Sequence, residues 1–396
     1  MSRDQIDYNF TENGVVYNFY DVFVPAENFN QPRLWTWGPN GYGQLGVNDT
    51  TQRNTPVTTL LGGTNWKQVS VGYQFSTALK TDGTLWTWGR NNFGQLGVNN
   101  TTTRSTPVTT LLGGTDWKQI SAGDSHIAAI KTDGTLWTWG SNTYGYLGVN
   151  DTTDRSTPVT TLLGGTNWKS VDCGVLYTAA IKTDGTLWTW GYNNEGRLGV
   201  NDTTTRSTPV TTILGGIDWK QVACGDDHTA AIKTDGTLWV WGPGGSGEIG
   251  NNISGNRLTP VTTLLGGTNW KSVDCGVLYT AAIKTDGTLW TWGRNFQGQL
   301  GINESGLNAN RLTPVTTLLG GTNWKQVSCG TGSGEISAAI KTDGTLWMWG
   351  VNGSGQLGIN DTTTRSTPVT TLLGGNNWKQ VSTNQACTMA IQYQDP

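Results

Sequence analysis

KTDGTLWTWG, residues 80–89, recurs letter for letter at 131–140, 182–191 and 284–293. It returns with one change at 233–242 (Val240) and at 341–350 (Met348), and a clipped LWTWG stands at 34–38. The second tryptophan of each copy falls at 37, 88, 139, 190, 241, 292 and 349, so the step is 51 residues five times and then 57. A second marker, the tryptophan of an Asn-Trp-Lys or Asp-Trp-Lys triplet, recurs from Trp66 to Trp378. Each repeat holds three tryptophans and seven repeats account for all 21, so none is left over for a special site. An internal period of this length is the mark of a repeat architecture, and large aromatic area at fixed positions reads as core.

One repeat reads as four short strands. Thr-Asp-Gly is a two-residue hairpin signal joining an Ala-Ala-Ile-Lys strand to Leu-Trp-x-Trp-Gly, which alternates with period two. A Gly- and Asn-rich excursion leads to Pro-Val-Thr-Thr-Leu-Leu, and a Gly-Gly turn leads to Trp-Lys-Gln-Val-Ser. No stretch carries a helical period of useful length. Four-stranded units at a fixed period predict an all-β, seven-bladed β-propeller over residues 33–396, because radial repetition leaves only short, protected edges. The first copy lacks its Ala-Ala-Ile-Lys strand, and the last repeat ends just after that strand, as CTMAIQY at 387–393. Residues 387–393 are therefore expected to pair with 33–38 and close the ring. The paired alanines (Ala128–Ala129 and their counterparts) suggest the innermost strand, where blades crowd the axis.

Formal charge is −3, and charged residues make up 13% of the chain. All thirteen lysines and seven of the twelve arginines sit at repeat positions, and no basic patch or tail of the kind nucleic acid requires is present. No apolar run is long enough to cross a bilayer. Cys173, Cys224, Cys275 and Cys329 fill one slot in successive repeats, a poor geometry for disulfides, and read as buried small hydrophobes; Cys387 stands apart and is expected to be free. Residues 1–30 lack a cationic start followed by an apolar stretch, so no secretory signal is expected.

Residues 1–32 are unlike the rest. The first thirty hold four of the seven phenylalanines, three of the eleven tyrosines, no tryptophan, and five acids against Arg3. Asn13-Gly14 marks a hairpin between Tyr8–Phe10 and Val15–Val24. Two roles remain open for this head: an extra layer laid on the propeller, or an assembly anchor whose Tyr8, Phe10, Tyr17, Phe19, Tyr20 and Phe23 dock in a partner.

Residues for chemistry are sparse. The two histidines, His126 and His228, share one repeat slot with Phe75, Tyr177, Tyr279 and Cys387, which marks a packing position. Asp226 and Asp227 beside His228 leave a cation site open as a minor alternative, whereas the Asn-Asp-Thr-Thr loops hold one carboxylate each, too few for a calcium site by themselves. No phosphate loop, dinucleotide fingerprint, zinc pattern or nucleophile elbow appears. The reading is a non-enzyme with no cofactor and no metal.

The informative pattern is where the repeats differ. The Thr-Asp-Gly and Gly-Gly turns, on one end, are nearly invariant. The segments after Leu-Trp-x-Trp-Gly and after Val-Ser-x-Gly, on the other end, vary from blade to blade and carry both three-residue insertions. The variable end presents Tyr42, Arg90, Phe93, Tyr144, Tyr146, Tyr192, Glu195, Arg197 and Phe296, and aromatics with arginine are what recognition surfaces enrich.

The order LWxWG, then Asn-x-x-GQLG, then Thr-Pro-Val, then a Gly-rich segment leading to His-Thr-Ala-Ala-Ile at 228–232, resembles the repeat of the regulator of chromosome condensation family, over about residues 33–393. The resemblance implies a seven-bladed propeller used as a binding platform. The eponymous member is a nucleotide exchange factor for a small GTPase and docks on chromatin, and a bacterial relative inhibits β-lactamase through an aromatic-rich face. This chain departs from the exchange factor in lacking a basic tail and a long wedge between blades. Its near-identical Gly-, Asn- and Thr-rich repeats look like bacterial or phage versions. That likeness, with the aromatic head, leads to the expectation of a phage virion component, an appendage or decoration protein located in the virion. Its partners would be other virion or assembly proteins through residues 1–30 and a host surface protein or glycan on the variable face. The alternatives are a free cytoplasmic binding module or inhibitor, and a carbohydrate-binding lectin.

Overall fold

The computed structural model describes residues 32–306, 308–332 and 334–393, together with the backbone of 9–12 and 15–18. In the head, β1 (Asn9–Glu12) and β2 (Val15–Asn18) pair antiparallel with Phe10 opposite Tyr17. Tyr8, Phe19, Tyr20 and Phe23 lie outside the described residues.

The first complete blade shows why the repeat folds as it does. Its strands run β5 (Trp66–Gly72), β6 (Phe75–Lys80), β7 (Leu85–Gly89) and β8 (Arg104–Thr109), hydrogen-bonded in that order. Five further blades, β9–β28 between residues 117 and 370, repeat the plan. The seventh is assembled from both ends of the chain: β29 (Trp378–Asn384), β30 (Cys387–Tyr393), β3 (Pro32–Gly38) and β4 (Arg53–Thr58). Leu34 faces Ile391 and Trp37 faces Thr388, so the ring closes as the sequence requires.

Two local expectations are corrected. The alanine strand is second from the axis. The innermost strand is β5 and its counterparts, whose Val-Ser-Val and Val-Asp-Cys stretches line the central channel. The alanines are small because both faces of the second strand meet a neighbouring blade. Ala128 packs with Trp168 and Trp190, whereas Ala129 packs with Trp117 and Trp139. The Thr-Asp-Gly turn is also one residue longer than expected. Lys80 N–H reaches Thr84 O, leaving a three-residue loop in which only Gly83 takes positive φ, at 81°. Asp82 accepts the N–H and the hydroxyl of Thr84 at 2.9 and 2.7 Å, and those bonds hold its carboxyl below the usual range.

Among the described residues seven apolar clusters form the core, and each straddles two blades. Phe75, Leu79 and Leu96 of one blade, for example, enclose Trp117, Ile127 and Trp139 of the next. The second tryptophan of the repeat also donates across the interface, as Trp88 Nε1 does to Gln44 O at 2.8 Å. Gly46 must be glycine: its φ is +69°, and a Cβ there would stand 2.8 Å from Trp88 Nε1. Blades are thus cemented to neighbours, which lets nearly 400 residues fold without splitting into separate cores.

Candidate functional site

Strand direction sorts the connections to two ends. β3 runs from the Thr-Asp-Gly end to the opposite end, where Gly38 faces Arg53. The variable segments gather there.

Two aromatic–cation clusters stand at that end. In one, the Arg90 guanidinium lies over three rings, 5.6 Å from Tyr42, 5.9 Å from Tyr73 and 5.5 Å from Phe93, while Nη1 donates to Gln74 Oε1 at 3.3 Å. In the other, Tyr144 and Tyr192 pack at 4.5 Å, and Arg197 lies 4.8 Å beneath Tyr192. Arg197 is itself buried, paired to Asp227 at 2.7 Å and donating to Asp226 O at 3.1 Å. Glu195 stands 3.9 Å from the same guanidinium. Apart from these, Phe296 is exposed and packs 5.8 Å from Arg294, which pairs with Glu335 at 2.8 Å. Stacked cations of this kind present rigid, partly desolvated planes to an incoming surface.

Two of the nine sequence candidates are not surface residues. Tyr146 and Arg197 occupy the slot of Gln44 in the Gly-Gln-Leu-Gly run, 3% and 2% exposed. Tyr146 donates to Ser141 Oγ at 2.5 Å, its ring lies 4.7 Å from His126, and burial pushes its hydroxyl pKa up. The slot is inward because its carbonyl must accept the next blade's indole, as Tyr146 O does from Trp190. Aligning the repeats would have shown this, since the slot always precedes the invariant apolar residue and glycine. Conversely, Tyr73 and Arg294 belong to the surface clusters and were visible only as parts of variable segments.

The channel is a second polar feature, with about 430 Å³ of internal space. Innermost strands of adjacent blades do not pair, so side chains bridge them. Ser70 Oγ accepts Ala122 N–H at 2.9 Å and Ser121 Oγ accepts Cys173 N–H at 2.9 Å. In the blades that begin at Trp168 and Trp270 aspartate takes the serine's place: Asp172 accepts Cys224 N–H at 2.7 Å and Asp274 accepts Cys329 N–H at 2.8 Å. Ala223 interrupts the hoop, and Asp274 turns its other oxygen to Cys275 N–H at 3.1 Å. Burial raises Asp172 to about 6; burial, reinforced by Asp172, raises Asp274 to about 7. The five cysteines are buried and unpaired, and burial pushes their thiols up, Cys387 to about 12.

His126 and His228 are fully buried, bonded through Nε2 to Thr178 and Thr280 at 2.9 and 2.8 Å. Burial lowers both to about 3, so they stay neutral at ordinary pH and serve packing. Asp226 accepts Gly332 N–H at 2.8 Å and Asp227 pairs with Arg197, so neither acid is set toward a cation.

A seven-bladed ring of Trp-clasped, four-stranded units defines a class of propellers, and the comparisons place the chain within it. Residues 147–395 match the RCC1-like domain, and residues 33–79 and 82–130 match the regulator of chromosome condensation (RCC1) repeat. The chain belongs to this family. It is 33% identical over 340 residues to the ultraviolet-B receptor UVR8 of Arabidopsis thaliana, covering 84% of this chain and 76% of that protein. It is 29% identical over 375 residues to the human E3 ubiquitin-protein ligase HERC2, covering 92% of this chain and only 8% of the ligase. Among solved structures, Prp20p of Saccharomyces cerevisiae superposes with a TM-score of 0.80 at 18% identity, over 93% of this chain and 92% of Prp20p. Human WBSCR16 gives 0.79 at 20% identity, over 92% and 100%. At such identity the structures show the fold alone.

Proposed function

We propose that this propeller is a non-catalytic protein-binding platform that engages its partner through the variable end. The carrying observation is the placement of unlike residues: the blades differ where Arg90, Tyr42, Tyr73, Phe93, Tyr144 and Tyr192 stack, and repeat one another elsewhere. The family supports the reading, since the Prp20p structure is described with binding to Gsp1p and histones. The bacterial or phage character and the virion role rest on the repeat composition and the head alone; none of the relatives named above supports them.

The test is retention of partners by the full chain and by a Tyr42→Ser/Arg90→Ser/Tyr144→Ser variant of unchanged melting temperature. Loss of the same bound proteins supports the reading; full retention would sink it. A sugar-binding reading is favoured by one observation, that Tyr42 and Tyr144 are each 38% exposed and so offer ring faces for stacking. Glycan binding that survives loss of both rings would exclude that site.

A further inference from the structure

The end opposite the variable loops carries an apolar ring that the platform reading does not use. At the Thr-Thr-Leu-Leu-Gly-Gly connection, Leu60 is 61% exposed, and its counterpart in every other blade is 56–63% exposed, through Ile213 to Leu372. The leucine that follows is close to 40% exposed in most blades, as at Leu112 and Leu373. Isolated exposed leucines need no explanation, but a ring of them repeated around one end marks a surface that something covers.

Charge separates along the same axis. All thirteen lysines lie at this end, with Arg33, against eight aspartates of the Thr-Asp-Gly turns and Asp-Trp-Lys triplets, an excess of six positive charges among the described residues. A second copy docked through the same end would set that excess against itself.

The head has the complementary character and starts from the right place. Residues 1–31 carry five acids against Arg3 and seven phenylalanines and tyrosines. They join the propeller at Pro32, which pairs with Tyr393 where the other blades have their Thr-Asp-Gly turn. The missing turn leaves a mark. Trp86 Nε1 donates to Thr84 Oγ1 at 3.1 Å, but Trp35, with Arg33 in place of that threonine, has a buried Nε1 with no acceptor among the described residues. The connections nearest this gap are those on either side of the closing blade, at Leu372–Leu373 and Leu60–Leu61. Thirteen residues separate β2 from β3, a reach of up to about 45 Å, enough to lay the hairpin on this arc.

We propose that the acidic, aromatic head folds back in cis over the Leu372–Leu60 arc of its own propeller, its aromatic rings on the leucines and its carboxylates on the neighbouring lysines. The experiment uses the full chain throughout. Limited proteolysis of the head is timed for wild type, for Leu60→Glu/Leu372→Glu, and for the distant pair Leu162→Glu/Ile213→Glu, with solution mass and melting temperature recorded for each. Expected are monomers of equal melting temperature, a head cleaved at least tenfold faster in the near pair, and wild-type cleavage in the distant pair. Zero-length carbodiimide coupling of wild type is expected to join head acids to Lys67, Lys341 or Lys379.

Equal cleavage in all three proteins overturns the proposal. So does a wild-type dimer that only the near pair dissociates, which would make the occupant a second copy. Binding of the full chain to phosphatidylserine vesicles with the head still open to protease would make the occupant a lipid surface, and overturns it as well.

Discussion

At one end of this propeller six Thr-Asp-Gly turns are copies of one another, closed by the same aspartate-to-threonine bonds in each blade. At the other end the loops share a frame, in which an asparagine side chain accepts a leucine N–H, as Asn40 does from Leu45 and Asn91 from Leu96, but the variable side chains make different contacts: Arg90 lies over three rings, Arg197 is sunk beneath Tyr192, and Glu248 fills the slot where four other blades keep glutamine. The blades that carry both ends have one plan. The uniform end therefore reports what a blade needs in order to exist beside its neighbour, and the other end reports what the ring tolerates or uses. Substitutions at the first should act on stability, and substitutions at the second on binding.

The largest effect is expected where the blades are cemented. Trp139→Ala removes a fully buried ring and its bond to Gln95 O, and should lower stability by about 3–5 kcal/mol in urea unfolding. A loss below about 1 kcal/mol would mean that the interfaces are not the source of cohesion.

Next comes Glu248, a variable-end residue that behaves as core. Its Oε2 accepts Ser246 N–H at 2.8 Å, but its buried Oε1 has no partner, and in the same slot Gln44 Nε2 donates to Ala386 O. Burial first, and the carboxylates Asp227 and Glu195 after it, raise this group from 4.5 to about 7. The folded chain thus holds the proton longer than the unfolded chain. The group's contribution is intact below pH 4.5 and is lost as pH rises to 7, by up to about 3 kcal/mol. Glu248→Gln should leave stability at pH 4 unchanged and raise it at pH 8. Equal effects at both pH values would place the destabilisation elsewhere.

The channel aspartates should show the same sign, since burial raises Asp172 to about 6 and Asp274 to about 7. Asp172→Ser with Asp274→Ser installs the residue that four other blades carry, Ser70 among them. The double variant should flatten the fall in stability between pH 4 and 7, measured by melting temperature across that range. A steeper fall would show that charged aspartates strengthen the hoop.

At the variable end, Arg90→Ala and Tyr144→Ala should change stability by less than about 1 kcal/mol while weakening partner binding. A variant that unfolds instead would move these clusters from recognition to architecture. The smallest effect is expected for Arg206→Gln, which breaks a half-exposed pair with Asp202 at 2.6 Å: less than about 1 kcal/mol, and less again at high salt.

The sequence by itself determined the number of blades, the four strands of each, the closing of the ring by residues 387–393 on the first copy, and which connections share an end. These follow from local pattern: period two along a strand, a turn at Asp-Gly, and a missing strand at one end matched by a spare at the other. What needed tertiary structure was depth. The alanines of β6 and its counterparts look like an axis-facing strand until two neighbouring blades are seen pressing on them. Tyr146 and Arg197 look like recognition residues until the next blade's indole claims the carbonyl beside them. The leucine ring reads in sequence as the end of each fourth strand, and in the fold it lies beyond that strand and exposed. Burial depends on what lies across an interface, and residues 51 positions away are invisible to a local reading, although they are the nearest neighbours of every blade.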